Sequence, residues 1–305
     1  MIAPALRERL SLALGAHVRF DVPLARLTSL RVGGPADAVA TPADRAELAA
    51  LLRLCHEERL PHLLLGGGFN TLALDGRLEG VVIQLSRFRR IEERPGGALR
   101  VEAGVSHSQV ARFCSERGLA GLEFTAGIPG TVGGWLAMNA GVPGRELADV
   151  LIELEVMSPS GARLRHLPVG SLRLVYRALH GLAPGSALCS ALLRVTPSTS
   201  GAVREEIARL LARRAATQPL SVPSCGSVFK NPPGDYAGRL IESVGLKGFQ
   251  VGGAQISPLH ANFIANTGGA SAADVCALIQ EAQARVRAAN GIRLEPEVRV
   301  VGTKG

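Results

Sequence analysis

Aromatic residues are scarce in this chain, at 4% of its 305 residues, with one tryptophan and two tyrosines. Proteins that hold single-stranded nucleic acid stack bases on aromatic rings beside a basic groove. Here no dense basic run alternates with aromatics. Lysine is scarcer still: Lys230, Lys247 and Lys304 are the only ones, and the rest of the 34 basic residues are arginines spread through alanine- and leucine-rich stretches. The net charge of +8 reads as compositional bias that helps recruit an anionic small molecule, and no nucleic-acid partner is expected. No apolar run reaches the ~20 residues of a membrane span, so no membrane partner is expected either. The opening MIAPALRERLSLALG is amphipathic, and its apolar part is too short for a signal peptide. The five cysteines (55, 114, 189, 225 and 276) are scattered and odd in number, which argues against a disulfide framework and a zinc site. The seven histidines form no HxxxH pair, so no metal is expected. These absences together point to a reducing, cytoplasmic setting.

Glycine is abundant, at 36 residues, and 47% of the chain is hydrophobic, enough for a large core in about two domains. Two glycine-rich segments carry most of the information: GGGFN at Gly66–Asn70 and GIPGTVGGWLAMNAGVPG at Gly127–Gly144. Glycine permits positive φ and close backbone approach. Rows of peptide N–H groups in such loops form nests for anions. Neither segment is GxGxxG, since Thr71 stands where the third glycine would be, and neither is GxxxxGK[ST]. A pyrophosphate held outside the Rossmann and P-loop solutions is the expectation. The plainer reading is a pair of tight loops at a domain face.

Helix and strand signals alternate without regular βαβ repetition or internal repeat, which predicts an α+β fold. Thr41-Pro42 predicts a helix start with Thr41 as cap. His62–Leu65, Val81–Leu85 and Leu99–Glu102 read as strands. Ser106 and Gln109 predict a capping box, with a helix stop at Gly118. Pro159-Ser160-Gly161 predicts a hairpin between Ile152–Ser158 and Ala162–His166, and Leu188–Val195 reads as a strand. Ser198–Gly201 reads as a linker, followed by a helix over Val203–Thr217. Gln218–Asp235 reads as an irregular loop, Ala237–Val244 as a short helix, Ser271 as the cap of a helix to Ala289, and Ile292–Val301 as a last strand.

Ser224–Pro232 gathers two hydroxyls, a thiol, an ammonium and an amide into one loop, a common setting for function. Taken singly, Ser227 reads as a turn residue, Cys225 as a small buried hydrophobe and Lys230 as a solvated charge. Arg177 after Tyr176 reads as a surface group. Glu295 and Glu297, two apart on a strand, would share one face. A thiol hydrolase assembles on paper from Cys225, His260 and Asn262. It leaves both glycine segments idle.

The residues converge on a family. RVGGPAD (Arg31–Asp37), GGGFN, GIPGTVGG, MNAG, YR, CGSVFKNP, AGRLIESVGLKG, GAQIS, HANF and LEPEV run in one order from about residue 28 to the C-terminus. In this the chain closely resembles the UDP-N-acetylmuramate dehydrogenase (UDP-N-acetylenolpyruvoylglucosamine reductase, MurB) family. The short stretch between Arg177 and Ser227 resembles the second type, which lacks a tyrosine-bearing loop. The resemblance implies a flavoenzyme of peptidoglycan precursor synthesis. An FAD-binding region of the vanillyl-alcohol-oxidase type, with two α+β subdomains, would span residues 1–198. A C-terminal α+β substrate domain would span 199–305, its final strand (about 297–305) returning to the first subdomain. FAD would be bound non-covalently by Gly66, Gly67, Gly68, Phe69, Asn70, Thr71, Gly127, Ile128, Pro129, Gly130, Gly133, Gly134, Asn139 and Gly141. NADPH would be the reductant and UDP-N-acetylglucosamine-enolpyruvate the substrate, taken in turn by a monomer.

The resemblance further gives Ser227 the role of proton donor, and Arg177 and Glu297 that of stabilising the enolate and the substrate carboxylate. An ionised Glu297 beside an anionic substrate would repel it, so Glu297 is expected to be protonated or hydrogen-bonded there. Tyr176, Lys230, Asn231 and Gln218 are the candidate substrate contacts. A related FAD-linked oxidase of a small alcohol or lactone is the alternative. The chain departs from the family pattern in four places: Phe69 replaces a serine, Trp135 replaces a small residue, and Leu179 and Gly181 stand where Ser and Phe are usual.

Overall fold

The structure is a computed structural model and describes residues 1–303. Lys304 and Gly305, the tail of the expected last strand, lie outside the described residues. The chain divides into two compact units: one of residues 1–20, 37–67 and 80–213, the other of 21–36, 68–79 and 214 onward. This division differs from a cut after residue 198. The helix Ser200–Thr217 begins within the expected linker, and the division falls inside that helix.

The first unit holds two sheets. In the first, strands lie in the order Val18–Pro23, Pro35–Ala40, Leu78–Ile83, His62–Leu64. Helices Pro4–Leu14 and Arg45–Glu57 share a core with them, built on Leu10, Leu48, Leu51, Leu52, Ile83 and Phe88. Asp44, and not Thr41, caps the second helix: its carboxylate accepts from the N–H groups of Ala46 and Glu47 at 2.8 and 3.0 Å. A carboxylate also complements the positive helix end, which a threonine hydroxyl does less well.

The second sheet has five antiparallel strands in the order Leu164–Pro168, Leu151–Met157, Ala187–Arg194, Ala98–Glu102, Ile91–Arg94. The hairpin turn falls at Pro159–Gly161, with Gly161 at φ +67°. Helix His107–Arg117 carries the expected capping box and stops at a left-handed Gly118. It packs through Val110 and Cys114 on Leu99, Val101, Leu154 and Leu193.

In the second unit, four antiparallel strands lie in the order Ser224–Ser227, Phe263–Asn266, Ala254–Ile256, Gln250–Val251. Helices Ala237–Ser243 and Ala272–Asn290 share one core with them. Leu30, Val32 and Leu72, from segments distant in sequence, complete that core. The loop expected over 218–235 thus contains a strand. The final strand is only Arg299–Val301, paired in parallel with Thr71–Ala73. Residues 292–298 lie outside it, tied by the Phe229–Pro296 bridge and by burial of Leu294 and Val298. Pro296 lacks the N–H a ladder needs, which shortens the strand.

Candidate active site

In the first unit, the strand His62–Leu64 leads through Leu65 into Gly66 and Gly67. A Cβ on Gly66 would stand 2.8 Å from the Thr131 hydroxyl, and 3.7 Å from the Gly134 backbone. The two glycine segments therefore meet, and Gly66 is bare because Thr131 occupies the space. Residues 130–133 lie along 103–107: Gly130 accepts from the His107 N–H, while Val132 and Gly133 donate to Val105 and Ala103. Gly130 has φ +114°, and a Cβ on Gly127 would meet nothing within 4 Å. Bare backbone facing open space, beside a hydroxyl and a second glycine run, fits the pyrophosphate of a dinucleotide.

Trp135 is 2% exposed and its indole N–H donates to the Ile128 carbonyl at 3.2 Å. The residue that departs from the family pattern thus braces this segment from within the core. Asn139, a candidate cofactor contact, has its side-chain amide engaged within the protein. It is fully buried at φ +40°, its Nδ2 donates to the Val175 carbonyl at 3.2 Å, and its Oδ1 accepts from the Ala148 N–H at 3.0 Å. Its amide ties the segment to the hairpin that carries Arg177.

That hairpin pairs Arg173–Val175 with Ala178–His180. Arg177 sits in its two-residue turn at φ +59°, a left-handed conformation that tight hairpin turns demand and that is uncommon outside glycine. Its guanidinium donates to the Gly141 carbonyl at 3.2 Å and lies 4.9 Å from the Tyr176 ring centroid. Leu179 packs against the core, paired across the hairpin with Leu174, and nothing stands within 4 Å of a Cβ on Gly181. The two departures leave the turn intact.

In the second unit, Gly68 has φ +68°, and a Cβ there would lie 2.3 Å from the Leu27 carbonyl oxygen. Gly68→Ala is expected to cost roughly 1–2 kcal/mol from the left-handed backbone alone. Displaced backbone adds to that, so the melting temperature should fall further than for Gly66→Ala, where only a hydroxyl must turn. Phe69 is exposed. Asn70 donates through Nδ2 to the Glu297 carbonyl and accepts the Arg299 N–H, both at 3.1 Å. Thr71 pairs with Arg299.

Ser227 is half-buried at a strand end, and Glu297 donates its N–H to the Val228 carbonyl at 2.8 Å. The structure therefore brings Asn70, Ser227–Val228 and Glu297 together. Lys230 reaches Glu295 at 2.5 Å, and Glu295 is exposed. The Asn231 carbonyl oxygen accepts from Ala237 N–H at 3.0 Å, and that of Gln218 from Arg214 Nε at 2.9 Å. Each amide has its oxygen engaged, so what it offers a phosphate is its NH2 group. The hydrolase arrangement is absent. Cys225 is 1% exposed and burial pushes its thiol up to about 12, so it is no nucleophile. Asn262 turns its amide to the backbone of Phe229. Among the described residues, no cluster of three His, Cys, Asp or Glu side chains is placed to hold a metal, and no helix is long and apolar enough to cross a membrane.

A family model described as FAD binding domain matches residues 36–166, across both glycine segments. One described as UDP-N-acetylenolpyruvoylglucosamine reductase, C-terminal domain, matches residues 218–301. The fold and site thus define an α+β flavoprotein oxidoreductase. The chain is 43% identical over 296 residues to the UDP-N-acetylenolpyruvoylglucosamine reductase of Geotalea uraniireducens, covering 97% of this chain and 98% of that protein. It is 48% identical over 281 residues to the one from Methylococcus capsulatus, covering 92% and 91%. The crystal structure of UDP-N-acetylenolpyruvylglucosamine reductase (MurB) from Thermus caldophilus matches with a TM-score of 0.81 at 36% identity, over 93% of this chain and all of that one. The chain belongs to the UDP-N-acetylenolpyruvoylglucosamine reductase family.

Proposed function

We propose that this chain performs its family's reaction with Ser227, Arg177 and Glu297 as catalytic residues. The reaction is the NADPH-driven reduction of UDP-N-acetylglucosamine-enolpyruvate to UDP-N-acetylmuramate. The observation that carries the reading is the match to such reductases along nearly the whole chain, through both the flavin and the C-terminal regions. The oxidase alternative leaves the 218–301 match without a purpose. Gly66–Gly67 and Gly127–Gly134 would hold FAD non-covalently, and the bound flavin would supply hydride chemistry.

The chain's own residues supply binding and proton chemistry. The Arg177 guanidinium is a planar fork that suits a carboxylate in two places. Its positive-φ turn and the Gly141 carbonyl hold it ready. Such a preset donor is worth most where charge develops, here as the C2 centre gains enolate character. Ser227 gives its hydroxyl proton to C2. Serine is a weak acid, but a carbon enolate demands little of its donor. Glu297 takes the second stabilising role, toward the substrate carboxylate and the enolate. Tyr176, Lys230, Asn231 and Gln218 contact the nucleotide sugar. The chain works as a monomer in the cytoplasm.

The test is direct. Purified protein should carry FAD, and NADPH consumption should depend on added UDP-N-acetylglucosamine-enolpyruvate. A colourless protein, or NADPH oxidation indifferent to that substrate, would overturn the reading.

A further inference from the structure

The strand that ends at Ser227 is irregular. Its pairing with Phe263–Asn266 shifts register between Ser224 and Ser227. Such an irregularity re-aims a side chain but gives up ladder bonds that must be recovered elsewhere. Asn262 recovers them. It is 4% exposed. Its Oδ1 accepts from the Phe229 N–H at 2.9 Å, and its Nδ2 donates to the Phe229 carbonyl at 2.8 Å. Its own carbonyl accepts from the Val228 N–H at 2.9 Å. One buried residue thus holds the backbone of the next two residues after Ser227.

The chain of bonds continues beyond them. The Val228 carbonyl accepts from the Glu297 N–H at 2.8 Å and the Val298 N–H at 3.3 Å. The Glu297 carbonyl in turn accepts from Asn70 Nδ2. Asn262 is itself fixed, since its N–H donates to His260 Nδ1 at 3.2 Å and the His260 ring packs edge-on against Phe263 at 4.8 Å. A ring nitrogen that accepts a bond must be unprotonated, and burial of His260 lowers its proton affinity accordingly.

We infer that Asn262 is the positioning residue that sets Ser227 and Glu297 in a common register for proton delivery. The inference rests on the reading in which Ser227 is the proton donor. Asn262 is buried and has both ends of its side-chain amide bonded to Phe229. It acts by holding residues 228 and 229, between which and Glu297 there is no slack.

The experiment uses the FAD-loaded enzyme and two variants. Asn262→Asp keeps the volume and the acceptor but sets a second acceptor against the Phe229 carbonyl. Asn262→Ala removes both side-chain bonds. Both are compared with the Ser227→Ala protein. Hydrogen exchange should quicken in peptides covering 226–231 and 294–299, and not across the 91–102 and 187–194 strands. Substrate reduction should slow by about 10- to 100-fold, the usual consequence of a reacting group misplaced by an ångström or less. The loss should fall on kcat rather than KM, with NADPH-dependent flavin reduction within about twofold of wild type. Unchanged exchange in those peptides, or loosened peptides with a wild-type rate, overturns the inference. So does an equal loss in both half-reactions. If Ser227→Ala alone leaves substrate reduction intact, the donor assignment fails instead, and the exchange measurement still decides whether Asn262 fixes this segment.

Discussion

Replacing Ser227 by alanine is expected to slow reduction of the enolpyruvyl ether by roughly 10²–10⁴-fold, the usual worth of a positioned general acid. That corresponds to ~3–5 kcal/mol of barrier. Flavin reduction by NADPH should stay nearly at the wild-type rate, because no proton to carbon is needed there. The structure makes the substitution clean. Ser227 is half-buried, and the backbone bonds that hold its neighbours run from Val228 and Phe229 to Asn262 and from Glu297 to Val228. None uses the serine hydroxyl, so an alanine keeps the register and removes the acid alone. Stopped-flow measurement of the two half-reactions separates the outcomes. Equal slowing of both would mean a binding or folding defect and would strip Ser227 of its role.

Signals confined to a few neighbouring residues were legible in the sequence. The Ser106–Gln109 box and the left-handed Gly118 bound a helix where expected, as Ser271 and Gly291 bound another. Pro159-Ser160-Gly161 turns its hairpin. Features whose partner lies far along the chain were not legible. Thr71 meets Arg299, and Leu30 enters the core of the C-terminal sheet, through contacts that no local pattern encodes. The cap is Asp44 and not the expected Thr41, because the helix begins only at Arg45 and the Asp44 carboxylate meets its first N–H groups. At the site, what a side chain bonds to within the fold was not legible. Asn139 was expected at the cofactor and Asn262 only in the hydrolase arrangement, and each has its side-chain amide bonded to backbone beside a catalytic candidate, at Val175 and at Phe229. The glycines were readable as bare backbone, but the reason Gly66 is bare is a hydroxyl sixty-five positions on, at Thr131.

Arg45→Ala is expected to be the most damaging substitution outside the site, at about 3–5 kcal/mol of stability, the range for stranding a buried charge. Arg45 opens the helix Arg45–Glu57 and reaches into the neighbouring five-stranded sheet. Its Nη1 meets Glu102 at 2.7 Å, and its Nε and Nη2 grip both oxygens of Glu155. Glu102 and Glu155 are buried, Ser190 donates to Glu155 at 2.6 Å, and the Arg90 N–H donates to Glu102 at 2.9 Å. Without the guanidinium, two carboxylates are left in one buried site with too few donors. The guanidinium is itself a third exposed, which places the loss toward the lower end of the range. Arg45→Lys should recover only part of it, since one ammonium cannot serve three oxygens in a fixed fork.

The dependence on pH tells charge from packing. Burial works to raise the Glu155 carboxyl, but hydrogen bonds from Arg45 and Ser190 outweigh it and hold the group below its ordinary value of 4.5. A carboxyl depressed on folding contributes stability above its unfolded value, and that contribution fades as pH falls through the folded one. In Arg45→Ala the sign reverses, because burial now acts unopposed by the guanidinium and proton uptake relieves the stranded charge. The stability gap between wild type and variant, from urea unfolding, should therefore narrow steadily from pH 7 towards pH 4. A gap that stayed constant over that interval would mean that the side chain's contacts, such as its stacking 5.3 Å from the Phe88 ring centroid, and not the paired charges, hold the helix to the sheet.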